Sequence, residues 1–288
     1  MRDFNEQTIT DAVISQFKAE DPRLQQILTS LVKHLHDFIR DVEPTEEEWF
    51  KGIQYLTDVG HMCDENRQEF VLLSDTLGVS ILVDAINHRA DAGMTETTVL
   101  GPFHTPHAKP MTHGAQIASA EELAKGTPTV VRGQVTDPDG KPIAGAKVDV
   151  WQASSEGLYD VQMGHGEADL RGIFETDADG KFWFRSIKPV AYPIPFDGPV
   201  GKMLVATGRH PYRPAHIHYM ISAPGYETLI THVFVSGDEY LDSDAVFAVK
   251  DSLVADFVAV EDAEAAKQFG YSAPFYEVEF NFGLKPTA

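Results

Sequence analysis

Two histidines one residue apart, His216 and His218, lie in the run Arg213-Pro214-Ala215-His216-Ile217-His218-Tyr219. The run reads as a β-strand, and side chains alternate faces along a strand, so both imidazoles point the same way. Side by side they could share one metal ion, for which neutral imidazole is the commonest side-chain ligand. The chain contains a second such pair, His34-Leu35-His36, but it falls in a helical pattern that turns the two rings apart and is not expected to bind metal.

Two imidazoles do not complete a site. Zinc hydrolases with His-x-His usually continue with a nearby Asp or His, and a cupin places a Glu a few residues on. Here Tyr219, Met220, Ile221 and Ser222 follow, and the first Glu is Glu227. Tyrosines are the abundant oxygen donors: Tyr159, Tyr192, Tyr212, Tyr219, Tyr226 and Tyr240. A tyrosinate is a hard anionic donor suited to Fe(III), which acidifies a bound phenol. Tyr159 lies in Gly157-Leu158-Tyr159-Asp160, at the expected end of a strand that begins near Val148. Tyr192 precedes Pro193 in Ala191-Tyr192-Pro193-Ile194-Pro195, and a residue before proline is pushed to extended backbone. Taken singly, each tyrosine could equally be a core aromatic.

The elements that must hold these residues divide the chain of 288 residues in two. The first hundred residues read helical. Asp21-Pro22 has the form of an N-cap followed by proline, and Leu24, Ile27, Leu28, Leu31, Leu35, Phe38 and Ile39 then recur at helical spacing. Thr45-Glu46-Glu47-Glu48 reads as a capping box opening a second helix with Trp49, Ile53, Leu56 and Val59. A third helix is expected from about Asn66 to Ala92. Residues 104–128 read as a loop. From Thr129 on, short alternating runs separated by Asp137-Pro138-Asp139-Gly140 and Asp177-Ala178-Asp179-Gly180 read as strands and turns. The expected class is α+β, with a helical domain over 1–105 and an antiparallel β-sandwich catalytic domain over 106–288.

Composition narrows the partners. With 43% hydrophobic residues the chain can bury a core, and a net charge of −21 argues against nucleic acid. The single Cys63 permits neither an internal disulfide nor a cysteine-based metal cluster. No apolar run is long enough to span a membrane, and no signal peptide is read at the N-terminus, so a cytoplasmic location is expected.

The chain resembles the intradiol ring-cleaving catechol dioxygenases. The match rests on Gly157-Leu158-Tyr159-Asp160, Tyr192-Pro193-Ile194-Pro195 and Arg213-Pro214-Ala215-His216-Ile217-His218. It also rests on Gly133-Gln134-Val135 through Pro142-Ile143-Ala144-Gly145-Ala146 and on Leu72-Leu73-Ser74-Asp75-Thr76-Leu77-Gly78. The resemblance implies one non-haem Fe(III) per subunit, held by Tyr159, Tyr192, His216 and His218. The substrate would displace Tyr192, whose phenolate accepts a substrate proton, and Arg213 would stabilise negative charge on the ring. Leu72, Asp75, Gly101, Pro102, Phe103, Ile194 and Pro195 would wall the pocket. His232 stands where relatives acting on plain catechol usually carry Gln. Together with Leu100-Gly101-Pro102-Phe103-His104, it points to the branch that cleaves hydroxyquinol, benzene-1,2,4-triol. Asp75 would meet the third hydroxyl. Cleavage of catechol or a chlorocatechol is the alternative substrate reading. A non-enzymatic sandwich resembling transthyretin, or a zinc hydrolase, is the alternative class. The resemblance further implies a homodimer through the N-terminal helices, with a phospholipid held at the interface. His107, His113, His165 and His210 receive no role.

Overall fold

A computed structural model describes residues 3–65, 67–89, 92–106, 108–163 and 168–287. The chain divides into two compact units, 1–58 and 59–288. In the first, α1 (Ile9–Ile14) packs on α2 (Pro22–Val42), with Thr10 Oγ1 3.0 Å from His36 Nδ1. Asp21 caps α2 by accepting from the Arg23 amide at 2.8 Å, with Pro22 at the first turn. Thr45 and Glu48 form the expected reciprocal capping box at the start of α3 (Glu46–His61): the Thr45 amide donates to Glu48 Oε2 at 2.8 Å, and the Glu48 amide to Thr45 Oγ1 at 3.2 Å. The apolar stripe of α2 is exposed at Leu31, Leu35 and Phe38.

The expected third helix is two helices, α4 (Glu69–Thr76) and α5 (Val79–Asn87). Gly78, at φ 72°, breaks the run, because a left-handed residue cannot continue a right-handed helix. Asn66 lies outside the described residues, and Ala92 lies beyond α5. Both helices belong to the second unit with the sheets, not with α1 and α2. A short α6 (Ala120–Lys125), capped by Ser119, interrupts the expected loop.

The strands follow as β1 (Pro128–Thr136), β2 (Lys147–Trp151), β3 (Arg171–Glu175), β4 (Lys181–Ile187), β5 (Tyr192–Pro193), β6 (Tyr212–Arg213), β7 (His216–Ser222), β8 (Leu229–Val235), β9 (Val254–Ala255), β10 (Val258–Val260), β11 (Phe275–Glu279) and β12 (Phe282–Gly283). Helix α7 (Asp160–Met163) lies between β2 and β3, α8 (Pro199–Ala206) between β5 and β6, and α9 (Ala263–Gln268) between β10 and β11. One sheet orders β10-β11-β1-β12 with β4 also on β1, and the other orders β3-β2-β7-β8-β9. The sheets are mixed, which corrects the expectation of a purely antiparallel sandwich. β11 and β12 run parallel to β1, and β9 runs parallel to β8. β11 follows β1 only after most of the domain has intervened, and such a long connection, unlike a hairpin, permits parallel pairing.

The core between the sheets takes Val131, Val135, Phe182 and Phe184 from one side and Val148, Val150, Phe174, Ile217, Tyr219 and Val233 from the other. Strand β7 is buried on both faces. Ile217, Tyr219 and Ile221 enter this core, so the alternate positions His216, His218 and Met220 face away from it.

Candidate metal centre and active site

The pairing of β7 brings the expected site together. His216 and His218 lie on one face, their Nε2 atoms 3.1 Å apart. Tyr159 follows a turn beyond the end of β2, not the strand itself as the sequence suggested, and its Oη lies 2.8 Å from His218 Nε2. Tyr192 is held extended in β5, paired across from Arg213, and its Oη lies 3.2 Å from Tyr159 Oη. All four side chains are buried. The first pair of histidines thus converges, whereas α2 leaves His34 exposed and engages His36 with Thr10.

The four candidate ligand atoms fit a simple test for a bound cation. The Pro214 carbonyl, 2.7 Å from His216 Nδ1, can only accept, so Nδ1 carries the proton and Nε2 presents a lone pair inward. Burial, reinforced by Arg213, pushes His216 well below the ordinary imidazole value, and burial with His216 and Arg213 does the same to His218. Both rings are therefore neutral. Burial and the neighbouring Tyr192 push the Tyr159 phenol well up, with Arg213 and Arg171 opposing. Only a cation would ionise that phenol here. Separations of 2.8, 3.1 and 3.2 Å are close to the ~3.3 Å edge of a tetrahedron with bonds of ~2.0 Å. Two neutral nitrogens and two phenol oxygens suit one transition-metal ion of moderate hardness.

Arg213 Nη1 points at the constellation, 3.5 Å from Tyr192 Oη and 3.4 Å from His216 Nε2. Its other nitrogens engage Asp244, a residue the sequence did not single out. His232 pairs across from His218 and is fully buried, its ring centroid 4.2 Å from His218 and 4.7 Å from His216. His216, His218 and His232 form a cluster that could hold a metal ion. His232 Nδ1 engages Thr98 Oγ1, while His232 Nε2 and His218 Nδ1 have no hydrogen-bond partner among the described residues. His232 thus sits against the candidate ligands as well as near the expected pocket. Trp151, also not foreseen, stacks on His218 at 4.7 Å and 13°.

Of the expected wall, Phe103 stacks on Tyr159 at 4.5 Å and 19°. A Cβ at Gly101 would lie 3.4 Å from His218 Cε1. Leu72 packs against the cluster containing Ile194 and Phe234. Asp75 is buried. Burial raises its carboxyl, while a hydrogen bond with Ser80 and the charge of Arg213 partly offset the rise. Pro102 is exposed and Pro195 half-buried. His113 engages the Glu175 carbonyl and His210 engages Ser243. His107 and His165 lie outside the described residues.

A two-sheet unit that buries two imidazoles and two phenols around one point, with a guanidinium facing them, defines a candidate mononuclear metal enzyme. Family models described as Dioxygenase and Catechol dioxygenase N terminus match residues 99–286 and 21–95, and the chain belongs to this dioxygenase family. It is an enzyme of the intradiol ring-cleaving kind. The hydroxyquinol 1,2-dioxygenase of Rhizobium sp. (strain MTP-10005) is 52% identical, covering 98% of this chain and 96% of its own. The 6-chlorohydroxyquinol 1,2-dioxygenase of Cupriavidus pinatubonensis is 52% identical over the full length of both chains. The solved hydroxyquinol 1,2-dioxygenase from Pseudomonas putida DLL-E4 superposes with a TM-score of 0.91 at 47% identity, covering 98% of this chain and 99% of that one.

Proposed function

We propose that this enzyme cleaves hydroxyquinol between its two adjacent hydroxyl-bearing carbons, placing both atoms of O₂ in the product, a 3-hydroxymuconate that tautomerises to maleylacetate. The observation that carries the reading is the buried convergence of Tyr159, Tyr192, His216 and His218 with Arg213 turned toward it. Relatives named for hydroxyquinol and 6-chlorohydroxyquinol support the substrate class.

Tyr159, Tyr192, His216 and His218 would hold one Fe(III) per subunit. When bound, the ferric ion would supply the Lewis acidity and redox character that make a bound diolate ring reactive toward O₂. The chain's own residues do the rest. Tyr192 Oη takes a proton from a substrate hydroxyl, and Arg213 Nη1, 3.5 Å from that oxygen, stabilises negative charge as it develops. Arg213 stays charged because Asp244 and Tyr192 outweigh the penalty of burial. Asp75 receives the third ring hydroxyl, and Leu72, Ile194 and Phe103 supply apolar wall. Pro102, Pro195 and Gly101 complete the rim, and His232 tunes the choice of substrate from beside the imidazoles.

The exposed apolar residues of α2, Leu31, Leu35 and Phe38 among them, support a homodimer formed through the N-terminal helices, and the same apolar surface would suit a phospholipid chain at the interface. No helix among the described residues is long and apolar enough to cross a membrane.

The visible spectrum of the purified protein tests the iron reading. Tyrosinate-to-Fe(III) charge transfer should colour it wine-red, and anaerobic hydroxyquinol should shift the band. A colourless protein that ferric iron cannot reconstitute would overturn the assignment of these four residues to ferric iron. A kcat/KM for hydroxyquinol no higher than for catechol would move the substrate to catechol or a chlorocatechol.

A further inference from the structure

Arg171 is a buried cation with no part in the chemistry described so far. It stands on β3 directly across from Trp151. Trp151 stands across from His218, and His218 across from His232. Residues paired in this way across adjacent strands share a face, so the four side chains form one transverse row beneath the metal centre. At the end of that row Arg171 reaches out of the sheet. Its Nε donates to Asp160 Oδ2 at 2.6 Å, and Nη2 donates to the other oxygen of the same carboxylate. Nη1 and Nη2 each lie 3.3 Å from the Phe103 carbonyl oxygen.

Both partners lead to Tyr159. Asp160 follows it in the chain, and Phe103 stacks on its ring. The Asp160 carboxylate also accepts from the Val161 amide at 2.8 Å and the Asp169 amide at 3.3 Å, so it organises the turn in which Tyr159 sits. A planar guanidinium can serve a carboxylate with two donors and a carbonyl at the same time, whereas the ammonium of lysine acts as a point charge.

We propose that Arg171 is a positioning residue for the ring cleavage: by clamping Asp160 to Phe103 it sets the Tyr159 oxygen against His218, without itself touching substrate. This rests on the reading of Tyr159 as an iron ligand. A buried ion pair that served only the fold would affect stability alone. A clamp on Tyr159 must also alter the ligand it holds.

The experiment compares Arg171→Lys, Asp160→Asn and Tyr159→Phe in the full chain, each metal-free and reconstituted with ferric iron. Arg171→Lys and Asp160→Asn should keep the wild-type circular dichroism yet displace and weaken the tyrosinate band. They should lower kcat by about tenfold or more with a smaller change in KM, the pattern of an interaction made in the transition state. In the metal-free protein, amides of residues 157–163 should exchange faster than in wild type. Wild-type band, kcat and exchange in both variants, or a loss of melting temperature alone, would overturn the proposal. Should Arg171→Lys fail to fold, Asp160→Asn decides, since its amide preserves shape while removing the charged acceptor. An unchanged band in Tyr159→Phe would instead remove Tyr159 from the ligand set, and exchange in the metal-free variants would still report on the clamp.

Discussion

Asp244 holds Arg213 by one edge of the guanidinium. Nε lies 3.1 Å from Oδ1 and Nη2 3.4 Å from Oδ2, which leaves Nη1 to face Tyr192 and His216. Asp244 is itself fastened, because its oxygens also accept from the Val246 and Ala248 amides at 3.3 and 3.0 Å. The carboxylate therefore decides which way the Arg213 guanidinium points. Removing one partner of a buried pair strands the other, at a cost of about 3–5 kcal/mol. Asp244→Ala should lose stability of that order in chemical denaturation. Asp244→Asn should retain more stability but lower kcat roughly 10- to 100-fold, as expected for a lost charge-assisted hydrogen bond of about 1.5–3 kcal/mol.

The proposed pairing of Asp75 with the third ring hydroxyl makes a substrate-specific prediction. A carboxylate that accepts the third hydroxyl contributes about 1.5–3 kcal/mol, a factor of roughly 10 to 100 in kcat/KM. Asp75→Ala should lower kcat/KM for hydroxyquinol by that factor and lower it much less for catechol. Equal losses on both substrates in steady-state assays would mean that Asp75 does not read the third hydroxyl.

Acid sensitivity follows from the buried imidazoles. Burial is the leading cause that holds His216, His218 and His232 well below their ordinary value. The folded state then binds fewer protons than the unfolded chain once the pH falls below the unfolded value of about 6.5. Stability from these groups is present above that pH and is lost as the pH falls through it. The limiting slope is about 1.4 kcal/mol per pH unit for each histidine. Melting temperatures of the metal-free protein should fall steeply below about pH 6. A flat profile from pH 7 to 5 would contradict neutral, buried rings.

Gly101 is held in the left-handed region at φ 76°, with the space at its Cβ position bounded by His218 Cε1. Gly101→Ala should cost about 1–2 kcal/mol in backbone strain. The added methyl would lie 3.4 Å from His218 Cε1, an ordinary contact, so the strain should appear in the melting temperature while release of ferric iron to a chelator changes little. Much faster release would show that the loop moves the imidazole.

The local devices were legible. Asp21 at the head of α2 and the Thr45–Glu48 box need only neighbours a few residues away, and both form as their residues dictate. The shared face of His216 and His218 follows from strand alternation alone. Gly78 was visible too, but helical periodicity on both sides of it hid the break, because a period continues through a glycine while the backbone need not. The parallel return of β11 and β12 to β1 was not legible, since alternation gives a strand's faces and says nothing of its direction.

The sequence by itself determined the types of the candidate ligands, the common direction of the two imidazoles and the extended backbone at Tyr192, because each is a property of a few adjacent residues. Only the tertiary structure decided that Asp244 would grip Arg213, that Thr98 would meet His232, and that Arg171 would join Asp160 to Phe103. These supports link residues far apart in the chain. Thr98 and His232 are 134 residues apart and meet because the segment before Gly101 lies along β8, the Thr98 amide donating to the Ile230 carbonyl at 2.8 Å. A carboxylate or hydroxyl in a loop carries no local mark of the buried cation or imidazole it will meet. Its role is set by the packing of sheets and loops around the site, where burial makes every unpaired polar group costly and so selects the partners.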